Sequence, residues 1–173
     1  MIAGMAHRTG LAIQPSTPPA TVIAPVRAEP DDPVAFQLLN EIGIIDQLAQ
    51  SSATKLLAPA LNMSQFAVLN HFARLGGERS MVQLAGNLQV TKAAITNTVG
   101  RLRDKGLLNV QPDPHDGRGK VVTLTAEGRQ ARDRAVKVLA QALQRLHEAV
   151  PTEELTAALA LLRRLRVWFD ANR

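Results

Sequence analysis

The stretch Thr91-Lys92-Ala93-Ala94-Ile95-Thr96-Asn97-Thr98-Val99-Gly100-Arg101-Leu102, followed shortly by Asp113-Pro114-His115-Asp116-Gly117-Arg118-Gly119-Lys120-Val121-Val122-Thr123-Leu124, decides how this chain folds. In the first segment Ile95, Val99 and Leu102 recur four and three apart, the stripe of a helix with one buried face. Thr91 offers a hydroxyl to cap that helix, and Gly106 ends it. In the second, residues 107–111 and the Val- and Thr-rich 120–124 flank a turn of Pro, Asp and Gly, which predicts a hairpin. Just upstream, Ser80 and Gln83 fit the S-x-x-Q capping box of a short helix that runs to about Leu88. Two short helices joined by a tight turn and followed by a hairpin make a helix-turn-helix with a wing.

Working outward, Leu38, Ile42 and Ile45 predict a first helix over 33–50, opened by Asp31 and Asp32 before Pro33. A second begins at Ser64, taken as its cap, and turns Phe66, Leu69 and Ala73 inward until Gly76 and Gly77. Residues 51–63 either continue the first helix or bend. Downstream, Thr125 caps a long helix with Val136, Leu139, Leu143, Leu146 and Val150 at near-heptad spacing. Pro151 interrupts it, and Thr152, Glu153 and Glu154 start another with the stripe Leu155, Leu159, Leu162, Leu165 and Phe169. Six of the ten prolines fall within the first 33 residues, so residues 1–31 read as a flexible Pro-rich N-terminal arm, an ordered strand at 21–26 being the alternative. The expected fold class is mainly α with a small β-hairpin wing.

Composition narrows the chemistry. The 173 residues suit one domain carrying an arm. Aromatics are 3% and Tyr is absent, so the core is built from Leu, Val, Ile and Ala, which favours helices. With no cysteine, disulfides, thiolate nucleophiles, Cys-ligated zinc and thiol redox switching are all excluded. His7, His71, His115 and His147 are scattered, and no Ser/His/Asp order, HExxH, GxxxxGK or GxGxxG run appears, so no enzyme activity, cofactor or metal is expected. Asp113, His115 and Asp116 read as turn residues, not ligands. No stretch reaches the roughly 18 to 20 apolar residues of a membrane span, and no early apolar run suits a secretory signal, so a soluble cytoplasmic protein with no membrane partner is expected.

The formal charge of +5 and a pI near 10.4 call for a polyanionic partner, nucleic acid ahead of an anionic membrane. That charge is local. Residues 91–120 hold six bases, Lys92, Arg101, Arg103, Lys105, Arg118 and Lys120, against three acids, whereas residues 33–90 balance to zero. Once Ile95, Val99 and Leu102 are buried, the fourth helix is left with a small, polar and basic face: Thr91, Lys92, Ala93, Thr96, Asn97, Gly100 and Arg101. Asn97 can bond adenine bidentately, Thr96 can meet a thymine methyl, and Lys92 or Arg101 can take phosphate or guanine. At the hairpin tip Arg118 and Lys120 stand beside His115 and Asp116, and an inserted Arg suits a minor groove. Ser80, at the start of the preceding helix, completes the candidate DNA-binding set. An ordinary solvated face is the plainer reading of the same charges, and a helical protein–protein interaction module without DNA readout is the alternative function.

These residues carry a family resemblance. Ser64-Gln-Phe-Ala-Val-Leu, Leu84-Ala85, Thr91-Lys-Ala-Ala-Ile-Thr, Arg101-Leu102 to Lys105-Gly106-Leu107, and the wing from Asp113 to Thr125 with Gly128 resemble the MarR family of bacterial transcription regulators over residues 33–172. The D-P-x-D-x-R run followed by V-x-L-T is the most specific part. The resemblance implies a homodimer built by helices in 32–63 and 126–173, around a winged helix-turn-helix spanning 64–125. It implies that Thr91, Lys92, Ala93, Thr96, Asn97 and Arg101 read the major groove, and that Arg118, held by Asp116, meets the minor groove. It also implies small, often aromatic, effectors bound between dimer helices and reader, with Phe36, Phe66, Phe72 and Trp168 as candidate lining residues. Three positions depart from the pattern. Gly117 stands where an adjacent wing arginine is common, Asn97 is neutral where relatives are frequently basic, and Gln89 occupies a turn position often held by Gly. A positive φ at Gln89 costs roughly 1 kcal/mol, and Gly100 inside a helix costs about 0.5 to 1 kcal/mol relative to Ala, which calls for close packing or close backbone approach.

The dimer has support beyond the resemblance, because the stripes on the terminal helices exceed what a small winged domain can cover. Two-fold pairing places the reading helices about 34 Å apart, one turn of duplex, and predicts a near-palindromic double-stranded operator.

Overall fold

The chain enters its first helix, α1 (Val34–Leu57), behind Pro33, whose carbonyl accepts from Phe36 N at 2.8 Å and Gln37 N at 3.1 Å. The computed structural model describes residues 31–114 and 119–172, so the N-terminal arm up to residue 30 and the wing-tip residues His115, Asp116 and Arg118 lie outside the described residues. The ambiguous segment after residue 50 continues α1 to Leu57 and stops where Pro59 disfavours a helical Ala58. The next helix, α2 (Met63–Leu75), is capped by Asn62 and not by Ser64. Asn62 Oδ1 accepts from Gln65 N at 2.8 Å, and Gln65 Oε1 accepts from Asn62 N at 3.2 Å. This reciprocal box satisfies two backbone donors, whereas Ser64 already lies inside the first turn. Gly76, at φ 63°, ends α2 with its N–H on Phe72 O.

A two-residue strand, β1 (Arg79–Ser80), leads into α3 (Met81–Asn87), where the Ser80/Gln83 capping box forms as expected. The turn into α4 (Lys92–Asp104) puts Gln89 at φ 53°, and Gln89 Nε2 donates to Gly86 O at 2.8 Å, offsetting part of the left-handed cost. Thr91 caps α4 through Ala94 N, and Ile95, Val99 and Leu102 are its buried residues, the three read from spacing. The hairpin strands β2 (Leu108–Pro112) and β3 (Lys120–Leu124) pair antiparallel, with Pro112 opposite Lys120, and β1 adds to β3 to give the order β1-β3-β2.

Thr125 caps α5 (Ala126–Ala142). The helix ends eight residues short of the periodic stripe, followed by a single turn, α6 (Leu146–Ala149), and then α7 (Thr152–Ala171). Leu143 and Leu146 are exposed, so among the described residues nothing covers the far end of the stripe to hold it helical.

The core centres on the winged unit, with Leu69 and Phe72 of α2, Leu84, Ile95 with Val99 and Leu102, and Val122 of the wing, and it draws in Leu57 of α1, Leu61 of the corner, and Ala131 and Ala135 of α5. Gly128 sets how α5 seats on it, since a Cβ there collides with the Leu107 carbonyl oxygen and sits 2.7 Å from Leu124 Cδ1. None of the residues of α7 is buried. Leu48 (66% exposed) on α1 and Val167 (61%) and Trp168 (59%) on α7 leave a broad apolar surface uncovered.

Candidate nucleic-acid interface

One open groove gathers the reader. Ser80, Met81 and Val82 line it from the start of α3, Lys92 and Thr96 from the first turns of α4, and Asp113, Gly119 and Lys120 from the base of the wing. Two of the bases singled out from sequence therefore converge from elements 28 positions apart. The wing base is closed by Asp113 N donating to Gly119 O at 3.0 Å, which holds Lys120 at the rim of this groove.

Local bonding sharpens what each side chain offers. Thr96 Oγ1 donates to Lys92 O at 2.7 Å, so with its hydroxyl engaged by the backbone Thr96 presents its methyl to a partner. Lys92 is exposed, and its ammonium bonds to no other described residue. Ser80 and Thr91 use their oxygens as caps and retain a hydroxyl proton to donate. Arg101 Nε donates to Asn97 Oδ1 at 3.1 Å, one turn along the exposed face, and the second lone pair of that oxygen stays available for a base edge. Ala93 is exposed on the same helix.

The remaining bases are not all directed at the groove. Arg103 pairs with Asp104 at 2.7 Å, Arg101 lies beside Asp104 and Lys105 at the far end of α4, and Lys105 bonds back to the α1–α2 corner. Met81 and Val82 were missed by the sequence reading. Val82 is 66% exposed, and the signal that finds it is the Ser80 cap itself, which places residues 81 and 82 in a first turn at the groove edge. Gly100 has open space around a hypothetical Cβ, so packing within the chain does not account for it.

Away from the groove, His71 on α2 is packed, edge-on to Phe72, with Nε2 buried and unpartnered. Burial first, then the charges of Arg79 and Arg74, hold its pKa below the usual 6.5. No cluster of His, Asp and Glu suited to a metal occurs among the described residues. A separate cavity of about 240 Å³ lies between Gln50 of α1, Met63 and Ala67 of α2, and Leu88, Ala94 and Thr98 of the reader. Phe36, Phe66, Phe72 and Trp168 do not line this cavity. Phe72 fills the core, Phe66 packs against it, Phe36 is exposed, and Trp168 stacks edge-on with Phe169 at 5.0 Å.

Known proteins with this arrangement settle its class. Residues 61–119, from the α1–α2 corner to the wing, match the family model described as MarR family. The transcriptional regulator BldR from Sulfolobus solfataricus superposes with a TM-score of 0.62 at 32% identity, over 75% of this chain and 95% of that one. This chain belongs to the MarR family. A mutant MarR from E. coli complexed with operator DNA is similar to it at a TM-score of 0.60 and 27% identity, over 76% of this chain and 94% of that one. A curated relative, the transcriptional activatory protein BadR of Rhodopseudomonas palustris, is 35% identical over 74 residues, so the match spans only 42% of each chain. No described helix of this MarR-family protein is long and apolar enough to cross a membrane.

Proposed function

We propose that this protein is a sequence-specific, double-stranded-DNA-binding transcriptional regulator that acts as a homodimer and responds to a small effector. One observation carries the reading: Ser80, Lys92 and Thr96 of the helix-turn-helix share a single groove with Lys120 of the wing. In this reading residues 64–125 are the reader, and 32–63 with 126–173 the dimer helices, whose uncovered apolar residues on α1 and α7 a second copy covers. Lys92 and Lys120 supply phosphate contacts, Asn97 and Thr96 supply base contacts, and Arg118 enters the minor groove. The partner is a near-palindromic operator, the setting is cytoplasmic, and the protein works without catalysis.

The effector reading rests on the cavity between α1 and the reader. At about 240 Å³ it exceeds the roughly 150 Å³ that holds a benzene ring, so a one-ring molecule fits. An occupant touching both α1 and α4 favours dimers with a different reader spacing and shifts the population away from the DNA-competent form. Selection of bound sequences from random duplex DNA tests the whole. A near-palindromic motif is expected. Arg118→Ala weakens binding to all sequences, whereas Asn97→Ala relaxes preference at one position by about 1 to 3 kcal/mol. Recovery of no preferred sequence refutes the reading, and identical motifs for Asn97→Ala and the parent refute the role of Asn97.

A further inference from the structure

Lys105 is the first residue past α4, and by composition it counts among the bases that meet phosphate. Its ammonium goes elsewhere. Nζ donates to Ala60 O at 2.8 Å and reaches Gln65 Oε1 at 3.4 Å, partners 45 and 40 residues away. Gln65 is buried (4% exposed) and is itself locked into the Asn62 capping box, so the ammonium joins a network already held in place at the corner where α1 turns into α2. Ala60 belongs to the loop between those two helices. Lys105 also caps α4, its N–H donating to Arg101 O, and its charge suits the negative end of that helix.

Direct packing between α1 and α4 is slight, since α4 packs chiefly on α2, α3 and β2. We infer that Lys105 is a positioning residue: by tying the C-terminal end of α4 to the α1–α2 corner, it sets the tilt of the reading helix relative to the dimer helix. This rests on the DNA-binding reading above. The lever is long. α4 has 13 residues and is about 20 Å long, so a pivot of about 5° at its C-terminal end displaces Lys92 by roughly 1.7 Å. Both copies must present their reading helices one duplex turn apart, so an error of that size in each copy is felt in affinity.

The test compares Lys105→Met, which keeps the stem and removes the donors, with Lys105→Arg, which restores donors, and with Lys92→Ala as a phosphate-contact control. Thermal melts confirm folding. In the absence of DNA, spin labels at Gln47→Cys and Asn87→Cys, diluted into unlabelled chain, report the distance from α1 to the reader within one chain; the native chain has no cysteine. Lys105→Met should broaden that distance distribution and Lys105→Arg restore it. Against the duplex selected above, Lys105→Met should weaken affinity about tenfold, within the range for residues that couple sites without touching the ligand, while keeping the parent's salt dependence. A shallower salt slope, like that of Lys92→Ala, identifies Lys105 as a phosphate ligand and overturns the inference, and so does an unchanged distance distribution. A parent that binds no duplex refutes the DNA-binding reading, while the DNA-free distances still judge Lys105.

Discussion

Lys92→Ala is the most direct test of the groove. The side chain is exposed, lines the groove from the first turn of α4, and bonds to no other described residue, so its removal should leave the fold intact. If each Lys92 neutralises one phosphate, a dimer loses two contacts. The slope of log affinity against log salt should then become shallower by about 1.8, from about 0.9 per contact on duplex DNA. Between 50 and 200 mM salt, log salt changes by about 0.6, so the parent should lose roughly 12-fold more affinity than the variant over that range. Anisotropy titrations of a labelled operator duplex at four salt concentrations measure this. A slope unchanged within error would show that Lys92 does not meet phosphate, and the groove would lose its claim to be the interface.

Three further outcomes follow from the packing. Gly128→Ala should destabilise the protein by about 2 to 3 kcal/mol in a denaturant melt, since the added methyl meets the Leu107 backbone and not a flexible side chain; a neutral result would mean α5 can shift freely. If α7 builds the proposed homodimer, Leu159→Asp combined with Leu162→Asp should convert it to monomer in sedimentation at micromolar concentration, at a cost of at least about 3 kcal/mol for charges buried without partners; an unchanged sedimentation coefficient would refute a dimer built on this face. His71, whose pKa is lowered by burial and then by the charges of Arg79 and Arg74, binds a proton more readily when unfolded, so its share of stability is complete above pH 6.5 and is lost as pH falls below that value toward its depressed native pKa. Melting temperature should therefore fall less between pH 7 and 5.5 in His71→Gln than in the parent, and parallel curves would show that His71 is not the titrating group.

Much of this was legible in the sequence where one local rule acted alone. Ile95, Val99 and Leu102 are buried because spacing dictates which face of a helix turns inward, and Ser80 with Gln83 closes its box because the two donors lie within a single turn. Readings failed where a second element decided. The stripe through Leu143 and Leu146 promised a longer α5, yet helical propensity without a packing partner does not sustain it. Asn62 displaced Ser64 as a cap because Gln65 could reciprocate. The two-residue β1 exists only because β3 pairs with it. Lys105 is the sharpest case, since its charge was readable but its direction depended on a carbonyl 45 residues away.

The way the wing is fastened has a consequence for engineering. Thr125 N donates to Leu107 O at 3.3 Å, Thr125 Oγ1 donates to Gly106 O at 2.8 Å, and the same oxygen accepts Gly128 N at 2.9 Å. Entry to and exit from the hairpin are thus clipped together at its root, which ties the end of α4 to the start of α5. The strands beyond that clip are not interchangeable, because Leu108 and Val122 are buried in the core and β3 carries β1, so retargeting along a duplex has to keep them and alter exposed positions such as Gln111 and Lys120.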